Sequence, residues 1–382
     1  MPYRKQLVFN AACACMLAFG MSVICLGSIL PEIVVKFQKT DVAAGVLASI
    51  LPFGIMVGSL FCGPLADRYG YKGVFIFCCT LVLIGMEGLA LSDSWWIIQL
   101  SVFAIGAGGG SLNSSASALV ADISEGERGA KLSILGIFYG LGALGLPLVI
   151  SSLSNFYDPF TIVAGLGSTV TLVIIWVALV TFPAPKQQEG LPFSEVLQMI
   201  KNPVLLLLAM VMFFQSGLEG LVSNWTKGFM QESLSIDGQK ALMGLTVHMG
   251  ALTLMRIALG YLLKKYQDTT VMVWCYGCIL LGCTLFYVGG SFTIQLAALI
   301  ALGIGFAGIF PIFLGMVGDK FAHLSGTAFS IIFVIALFGN MLINYGMGQV
   351  SFHFGIQQLP ILLLSCTLLM GALLFGMRRV FL

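Results

Sequence analysis

The sequence is dominated by apolar runs of about 20 residues, such as the run over 271–289. A run of this length crosses the hydrocarbon of a bilayer as one helix, whereas the strands of a membrane barrel are shorter and alternate polar with apolar residues. Of the 382 residues, 59% are hydrophobic and 9% are charged, against about a quarter charged in a soluble domain. In lipid each backbone amide must be satisfied within its own element. We therefore predict an all-α integral membrane protein.

Polar punctuation between the apolar runs divides the sequence into twelve predicted helices. Their approximate limits are 8–34, 41–66, 72–92, 95–122, 130–154, 159–182, 203–231, 239–264, 270–289, 292–318, 324–350 and 357–377. The segment 183–202, which begins with prolines and charged residues, is typical of a linker. We predict an N-terminal six-helix bundle over 1–182, a cytoplasmic linker over 183–202 and a C-terminal six-helix bundle over 203–382. The first apolar segment is too long for a signal peptide and is expected to stay as the first span.

The distribution of Lys and Arg predicts the orientation, because these residues accumulate in cytoplasmic loops. With both termini in the cytoplasm, the inner segments hold Arg4, Lys5, Arg68, Lys72, Arg128, Lys131, Lys186, Lys201, Lys264, Lys265, Lys320, Arg378 and Arg379. The outer side then holds only Lys36, Lys39, Lys227 and Lys240. This asymmetry favours twelve spans in a multi-pass plasma membrane protein with both termini cytoplasmic.

The two halves repeat each other when 197 is added to a residue number, as from Gly20 to Gly217. The offset holds without a gap from the first helix of each half to the fifth. Further matches are Gly63 with Gly260, Leu65 with Leu262, Tyr69 with Tyr266, Cys78 with Cys275, Gly106 with Gly303, Gly108 with Gly305, Asp122 with Asp319, Gly129 with Gly326, Ser133 with Ser330 and Gly142 with Gly339. Parallel repeats of this kind build a transport site between two halves that move against each other.

Charge and cysteine usage exclude several classes of function. The basic residues are scattered among loops, which disfavours a nucleic-acid surface. Cys275 and Cys278 have a C-x-x-C spacing, but no second pair or histidine accompanies them, so helix packing is favoured over a metal or redox site. No nucleophile with its base is present either, and we predict neither an enzyme nor a metal site.

One loop carries a family signature. Between the second and third helices the sequence is Gly63-Pro64-Leu65-Ala66-Asp67-Arg68-Tyr69-Gly70-Tyr71-Lys72, and the fourth helix ends with Asp122 followed by Glu127-Arg128-Gly129. These stretches resemble the signature of the major facilitator superfamily. The resemblance to that family covers essentially the whole chain. The resemblance implies the major facilitator fold, alternating access and a bacterial inner membrane location.

The charged residues of this loop are candidates for a cytoplasmic gate. Asp67, Arg68, Asp122 and Arg128 stand where the second and fourth helices end, and ion pairs there can form in one state and separate in another. The alternative is that they are solvated loop charges obeying positive-inside placement. Arg256 in the eighth helix is a buried cation that needs a partner. Asp319 at the end of the tenth helix is the predicted partner, and both are assigned to gating.

Two further stretches resemble the fucose permease and the sodium-dependent glucose transporters within that superfamily. They are Gly108-Gly109-Gly110-Ser111-Leu112-Asn113 with Arg128-Gly129-Ala130-Lys131, and Gly217-Leu218-Glu219-Gly220 with Ser223-Asn224-Trp225. The first helix lacks the mid-membrane acid of the fucose permease, and the fourth has Gly110 and Ser111 where an acid is expected. The resemblance implies a sugar symporter driven by H⁺ or Na⁺.

Glu219 in the seventh helix is the leading functional residue, because an acid inside a bilayer costs about 3 kcal/mol. It lies roughly 24 Å along its helix from Pro203, at about 1.5 Å per residue. Gln215, Asn224 and Trp225 share the helix, and together they offer amide groups for sugar hydroxyls and an aromatic face for the ring. We predict that Glu219 contacts the substrate and the coupling ion.

Buried polar residues on other helices complete the predicted substrate site. They are His248 in the eighth helix, Asn113 in the fourth, and Asn340 and Asn344 in the eleventh. For each of them a hydrogen bond between helices, without a ligand, is an almost equal alternative. Glu87 in the third helix is interpreted as structural.

The sequence thus predicts an ion-coupled symporter of a monosaccharide or related polyol, working as a monomer in the lipid bilayer without a cofactor beyond the coupling ion. One alternative is a major facilitator exporter of drugs or lipophilic metabolites. The fifth helix argues against it, since Gly140-Leu141-Gly142-Ala143-Leu144-Gly145-Leu146-Pro147 does not fit the glycine-proline element of those exporters. A second alternative is a membrane receptor that keeps the fold without transporting.

Overall fold

The computed structural model describes residues 4–124, 128–183, 202–320 and 325–381, and within them the chain forms helices and short connections. The first six helices are α1 Lys5–Lys36, α2 and α3 within Asp41–Leu91, α4 Trp95–Ile123, α5 Arg128–Leu153 and α6 Pro159–Leu179. The remaining helices are α7 Pro203–Glu232, α8 Gly238–Lys265, α9 Asp268–Val288, α10 Phe292–Lys320, α11 Ser325–Phe354 and α12 Leu359–Phe381, with a 3₁₀ turn at Ile356–Gln358 before the last.

The helical segment Asp41–Leu91 is broken at Gly70, where φ is +76° and ψ is 158°. This left-handed backbone is open to glycine and strained for other residues. We call the part before Gly70 α2 and the part after it α3. The break lies inside the signature loop, which agrees with the predicted division into two helices at this loop.

Twelve helices in the described residues are long and apolar enough to cross a membrane. They confirm the predicted all-α membrane architecture, and their ends fall within a few residues of the predicted limits. Local signals explain two of these ends. Asp158 accepts a hydrogen bond from the Phe160 amide at 2.9 Å, Asn202 accepts from the Val204 amide at 3.0 Å, and a proline follows each cap. Such caps start α6 and α7 where the sequence changes from linker to span.

The contacts of the chain divide into two compact units. Unit 1 holds α1, α3 to α6, most of α2, and Gly238–Thr246 at the start of α8. Unit 2 holds Thr40–Ser49 at the start of α2, α7, the rest of α8, and α9 to α12. The predicted bundles 1–182 and 203–382 differ from these units at the two short helix starts. Most of the predicted linker, 184–201, lies outside the described residues.

Each unit contains the same close helix contacts, displaced by 197 residues. Gly108 in α4 lies against the Cys78 carbonyl, and a Cβ at Gly108 would approach that oxygen to 2.7 Å. Gly305 in α10 stands in the same relation to the Cys275 carbonyl, also at 2.7 Å. Gly85 with Ser101 and Gly282 with Ala298 form a second matching pair, at 2.8 and 2.9 Å. The glycines are therefore packing positions, where a missing side chain lets two backbones approach.

Unit 2 is built around α7, which packs against α10, α11 and α12. In unit 1 the equivalent helix α1 packs against α4 and α5. Most of α7 is buried, including polar side chains and the charged Lys227 near its C-terminal end. The residues predicted to bind substrate are concentrated on this helix and its neighbours.

Candidate functional site

Glu219 lies on α7 of unit 2 and is half-buried, in a helix whose neighbouring positions 217, 218, 220 and 221 are buried. Its carboxylate Oε1 accepts a hydrogen bond of 2.9 Å from Nε2 of Gln215, one helical turn earlier. The spacing i, i+4 places both side chains on the same face of the helix. An acidic side chain in an apolar layer is thus held by an amide donor.

Gln215 also contacts α10. Its Nε2 lies 3.4 Å from the carbonyl oxygen of Phe306 and donates to it. The side chain is 1% exposed. Its other amide atom, Oε1, is buried and has no hydrogen-bond partner among the described residues. An acceptor left in this way costs about 1 to 3 kcal/mol until a donor reaches it.

Arg256 on α8 acts electrostatically on the Glu219 carboxylate. The sequence predicted Asp319 as the partner of Arg256, but the side chain of Asp319 lies outside the described part of the structure. Glu219 is one acid that the guanidinium influences. Arg256 therefore joins the candidate site through its influence on Glu219, and its gating role with Asp319 stays a prediction.

The Gln215–Glu219–Arg256 group, which we call the acid cluster, has no ionisable equivalent in unit 1. Subtracting 197 leads to Ala18, Ser22 and Ser59. Ser22 is buried and donates to the Phe19 carbonyl of its own helix at 2.9 Å, and Ser59 donates to the Gly110 carbonyl at 3.2 Å. At these three positions, therefore, only the second half carries ionisable side chains.

A second polar group, the amide ladder, joins α7 to α11 and uses most of the other predicted binding residues. Asn344 accepts hydrogen bonds on Oδ1 from Asn224 Nδ2 and from Trp225 Nε1, both at 3.1 Å. Its Nδ2 donates to the backbone oxygen and to Oδ1 of Asn340, at 2.9 and 2.8 Å. Asn340 in turn donates to the Ser216 carbonyl at 2.8 Å.

The ladder leaves Asn344 no capacity for a ligand. An amide has two donor hydrogens and two acceptor lone pairs, and all four are used within the ladder. Asn344 is fully buried, and Asn224 and Trp225 are 5% and 3% exposed. For Asn344 the structure favours helix packing over the substrate contact that we predicted, whereas Asn224 and Trp225 each use one donor in the ladder. Asn340 is half-buried and keeps one acceptor position on Oδ1.

His248 is likewise placed for packing. It is 1% exposed, its Nδ1 lies 3.0 Å from the Leu299 carbonyl, and its ring meets Phe306 edge-on at 5.9 Å. Since a carbonyl only accepts, Nδ1 carries the hydrogen and donates. Through Nδ1 the imidazole ties α8 to α10.

The remaining predicted residues are separate from the acid cluster. Asn113 is half-buried on α4 in unit 1. Glu87 on α3 accepts a hydrogen bond of 2.9 Å from Ser168 on α6, which fits its structural interpretation. The side chains of the predicted gate residues lie outside the described part: Asp67, Arg68, Asp122, Arg128 and Asp319.

Sequence reasoning missed two participants, the Phe306 carbonyl and Ser216. The Phe306 carbonyl is a backbone group, which no residue pattern identifies. Ser216 follows Gln215 directly, and its carbonyl accepts the hydrogen bond from Asn340 that begins the amide ladder. Lys227 was counted on the outer side, yet it is 1% exposed within α7. Among the described residues no group of three or more His, Cys, Asp or Glu is placed to hold a metal ion.

Comparisons with known proteins show that the sequence is similar to those of transporters. A family model described as Major Facilitator Superfamily matches residues 12–344. The glucose/mannose transporter GlcP of Bacillus subtilis is 22% identical over 347 residues, covering 86% of this chain and 84% of the relative. The 4-hydroxybenzoate transporter PcaK of Pseudomonas aeruginosa is 25% identical over 310 residues, covering 68% of each chain.

Solved structures share the fold over nearly the full length. A mutant of the nucleoside transporter NupG superposes with a TM-score of 0.81 at 16% identity, covering 99% of this chain and 100% of that one. The D-xylose-proton symporter superposes with a TM-score of 0.77 at 16% identity, covering 95% and 96%. At this identity the likeness concerns the fold alone.

Proposed function

Because the chain belongs to the major facilitator superfamily, we propose that it is a secondary active transporter that couples an ion gradient to the uptake of a monosaccharide or related polyol. The family match confirms the resemblance drawn from the signature loop, and the twelve spans make the chain a multi-pass membrane protein. The relatives are transporters, and we propose no enzymatic reaction and no cofactor beyond the coupling ion. Alternating access would carry the substrate across the membrane.

The observation that carries the proposal is the acid cluster. Glu219 is an acid in an apolar helix, held by Gln215 and influenced by Arg256. Keeping such a group in a bilayer is costly unless it serves a function or a partner. Its absence from the repeat-equivalent positions argues that it was not required for the fold. We assign it to ion coupling.

The substrate assignment is supported by chemistry and by relatives. The buried Oε1 of Gln215 needs a donor, and Asn340 retains one acceptor position. Hydroxyl groups of a sugar are donors of that kind. GlcP is a glucose/mannose transporter, and the D-xylose-proton symporter shares the fold. Gln215, Glu219 and Asn340 are therefore our substrate contacts in unit 2, with Asn113 as a further candidate in unit 1.

A second candidate substrate is an aromatic carboxylate. It is favoured by the relative named as a 4-hydroxybenzoate transporter and by Arg256, whose guanidinium could receive a carboxylate. An aromatic acid of this kind would compete with Glu219 for the same cation. Export of lipophilic compounds remains the third possibility and has no supporting contact in the acid cluster.

The test is uptake into proteoliposomes containing the purified protein. Radiolabelled glucose, mannose, xylose and 4-hydroxybenzoate would be offered under an imposed pH gradient, an imposed Na⁺ gradient, or neither. We expect one of the sugars to accumulate when one gradient is imposed, and Glu219→Gln to equilibrate the sugar without accumulating it. Unchanged accumulation by Glu219→Gln would refute its coupling role. Accumulation of 4-hydroxybenzoate alone would replace the sugar assignment.

Orientation and assembly are part of the same proposal. We propose a bacterial inner membrane location with both termini in the cytoplasm, supported by the positive-inside asymmetry, and a monomer as the working form. Labelling of single cysteines introduced at either terminus, from inside or outside intact cells, checks the orientation. Light scattering in detergent checks the oligomeric state.

A further inference from the structure

Two grooves on the surface of the helices occupy equivalent places in the two units. Groove 1 lies between α5 and α6 in unit 1, and its lining includes Leu153 and Leu166. Groove 2 lies between α11 and α12 in unit 2, and its lining includes Val350 and Leu362. Each groove has a volume of about 250 Å³. The described lining residues belong neither to the acid cluster nor to the amide ladder.

The offset of 197 residues also relates the linings of the two grooves. Three pairs of lining residues show this relation: Leu153 and Val350, Tyr157 and Phe354, and Gly165 and Leu362. No pair is identical, so geometry rather than residue identity extends the repeat to the sixth helix of each half. The repeat has kept the shape of this place while its residues changed.

Both grooves are open because α6 and α12 are held by helices other than the one before them. Gly167 of α6 lies against Met86 of α3, where a Cβ at residue 167 would approach the Met86 Cβ to 3.0 Å. Tyr276 of α9 donates a hydrogen bond of 3.1 Å to the Thr367 carbonyl of α12. At Gly165, on the groove side of α6, no described atom lies within 4 Å of the place of a Cβ. There is therefore room beside Gly165 for another molecule.

The grooves belong to the part of each unit that faces the membrane. The helices α6 and α12 are among the least buried of the described spans. Around the grooves Leu153, Tyr157, Phe354 and Ile361 are exposed. Lipid tails are as apolar as leucine, so exposed apolar sides of spanning helices are covered by them. The grooves continue this lipid-covered surface.

Each groove has a polar end at the loop and an apolar interior. Thr161 in the first turn of α6 lines groove 1, and Gln358 in the 3₁₀ turn before α12 lines groove 2 at the equivalent position. Deeper in groove 2 the hydroxyl of Ser365 is already used, since it donates to the Ile361 carbonyl of its own helix at 2.8 Å. The lining from 358 to 365 extends about 10 Å at ~1.5 Å per residue. One leaflet of hydrocarbon is about 15 Å deep.

We propose that each groove binds one acyl chain of a phospholipid from the outer leaflet, the leaflet in which the proposed orientation places both loops. The order of polar end and apolar interior is that of a phospholipid entering from the membrane surface. The Thr161 hydroxyl in groove 1 and the Gln358 amide in groove 2 then donate hydrogen bonds to the ester carbonyls where the chains begin. A sugar has no apolar chain to fill the interior. The two lipid sites are additional to the proposed transport function.

The experiment counts phospholipids on the full chain. Protein purified in detergent and freed of lipid would be titrated with dioleoyl phosphatidylethanolamine, and native mass spectrometry would count the bound molecules. We expect two tightly bound phospholipids on the wild type. Gly165→Trp fills groove 1, where a Cβ meets open space, and Ser365→Trp fills groove 2 from an exposed position. Each variant should bind one phospholipid, and the double variant none.

The control is Gly277→Trp on α9. Gly277 is exposed and also has nothing within 4 Å of the place of a Cβ, but it lines neither groove. This variant should bind two phospholipids. Gln358→Leu keeps the groove and removes the amide donor, so affinity at one of the two sites should fall about 2- to 10-fold. It serves if Ser365→Trp is poorly folded.

The opposing outcomes are distinct. Two phospholipids on the folded double variant would overturn the proposal, and so would an equal loss in Gly277→Trp. Unchanged affinity in Gln358→Leu would overturn the contact with the ester carbonyls. A second copy of the chain, bound to the wild type and lost from the tryptophan variants, would assign the grooves to a dimer instead. The count requires no transport, so failure of the uptake assay leaves it unaffected.

Discussion

Gly303 on α10 lies against the backbone carbonyl of His248 on α8, so that a Cβ at residue 303 would come within 2.5 Å of that oxygen. The same relation joins Gly106 to the Leu51 carbonyl in unit 1. Both pairs are related by adding 197. The two halves thus share a backbone contact even where the side chains beside it, leucine and histidine, have diverged.

Gly303→Ala is expected to lower the apparent Tm by several degrees, because backbone cannot move aside as a flexible side chain can and overpacking costs about 1 to 3 kcal/mol. Thermal unfolding in detergent, followed by intrinsic fluorescence, measures this. Gly277→Ala on α9 is the matched control, since nothing lies within 4 Å of a Cβ there. Equal Tm values for both variants would contradict the packing role of Gly303.

The fold was predictable because its signals are local or periodic. Apolar run length gives the helices, and caps such as Asn202 give their starts. The offset between halves could be read directly from glycine positions, since close backbone contacts tolerate little else. The Gln215–Glu219 pair was also accessible, because a spacing of four residues on a helix puts two side chains together.

The roles of the other polar residues were not predictable, for a physical reason. In sequence, an asparagine such as Asn344 that hydrogen-bonds to other helices cannot be distinguished from one that binds a sugar, because both lie in the same kind of apolar run. Only the geometry shows that its donors and acceptors are all used. The partner of Arg256 depends on which helices meet, which the sequence of α8 alone does not contain.

Asn344→Leu tests the assignment of the amide ladder. We expect a loss of about 1 to 3 kcal/mol in stability, because Asn224 and Trp225 would keep buried donors without an acceptor. Substrate KM in the folded fraction should not change. Gln349→Leu on the same helix, which removes a hydrogen bond to the exposed Tyr345, should affect neither quantity. A raised KM with unchanged stability would return Asn344 to the substrate site.

His248→Leu tests the second reassigned residue. The hydrogen bond to the Leu299 carbonyl and the contact with Phe306 would be lost, so a lower apparent Tm is expected. Leu51 at the equivalent place in unit 1 shows that leucine suits this contact, and the loss should be small, about 1 kcal/mol. Coupled uptake should respond to the imposed gradient as in the wild type. Loss of coupling at normal stability would make His248 part of the ion pathway.

Asp41 and Ser351 offer a test of movement. Ser351 donates to the Asp41 carboxylate at 2.6 Å, and one turn further along α2 Gly45 packs against Gly348 of α11. These contacts lie within unit 2, although the rest of α2 belongs to unit 1. A cross-link here joins a helix of the first half to one of the second, and alternating access requires the halves to move.

The double variant Asp41→Cys with Ser351→Cys should therefore form a disulfide on mild oxidation, lose uptake, and recover it on reduction. The control is the double variant Lys36→Cys with Asp93→Cys, which replaces an ion pair of 3.0 Å inside unit 1. Because a lysine side chain is long, this pair is bridged with a bifunctional thiol reagent rather than by oxidation. The bridged control should transport normally, because both residues belong to the first half. Peptide mass spectrometry verifies each bond. The control cross-link joins residues of one half. Loss of uptake only in the Asp41–Ser351 variant would therefore identify separation of α2 from α11 as a step of transport. Full uptake by a protein with a verified Asp41–Ser351 cross-link would show instead that these helix ends stay together throughout the cycle.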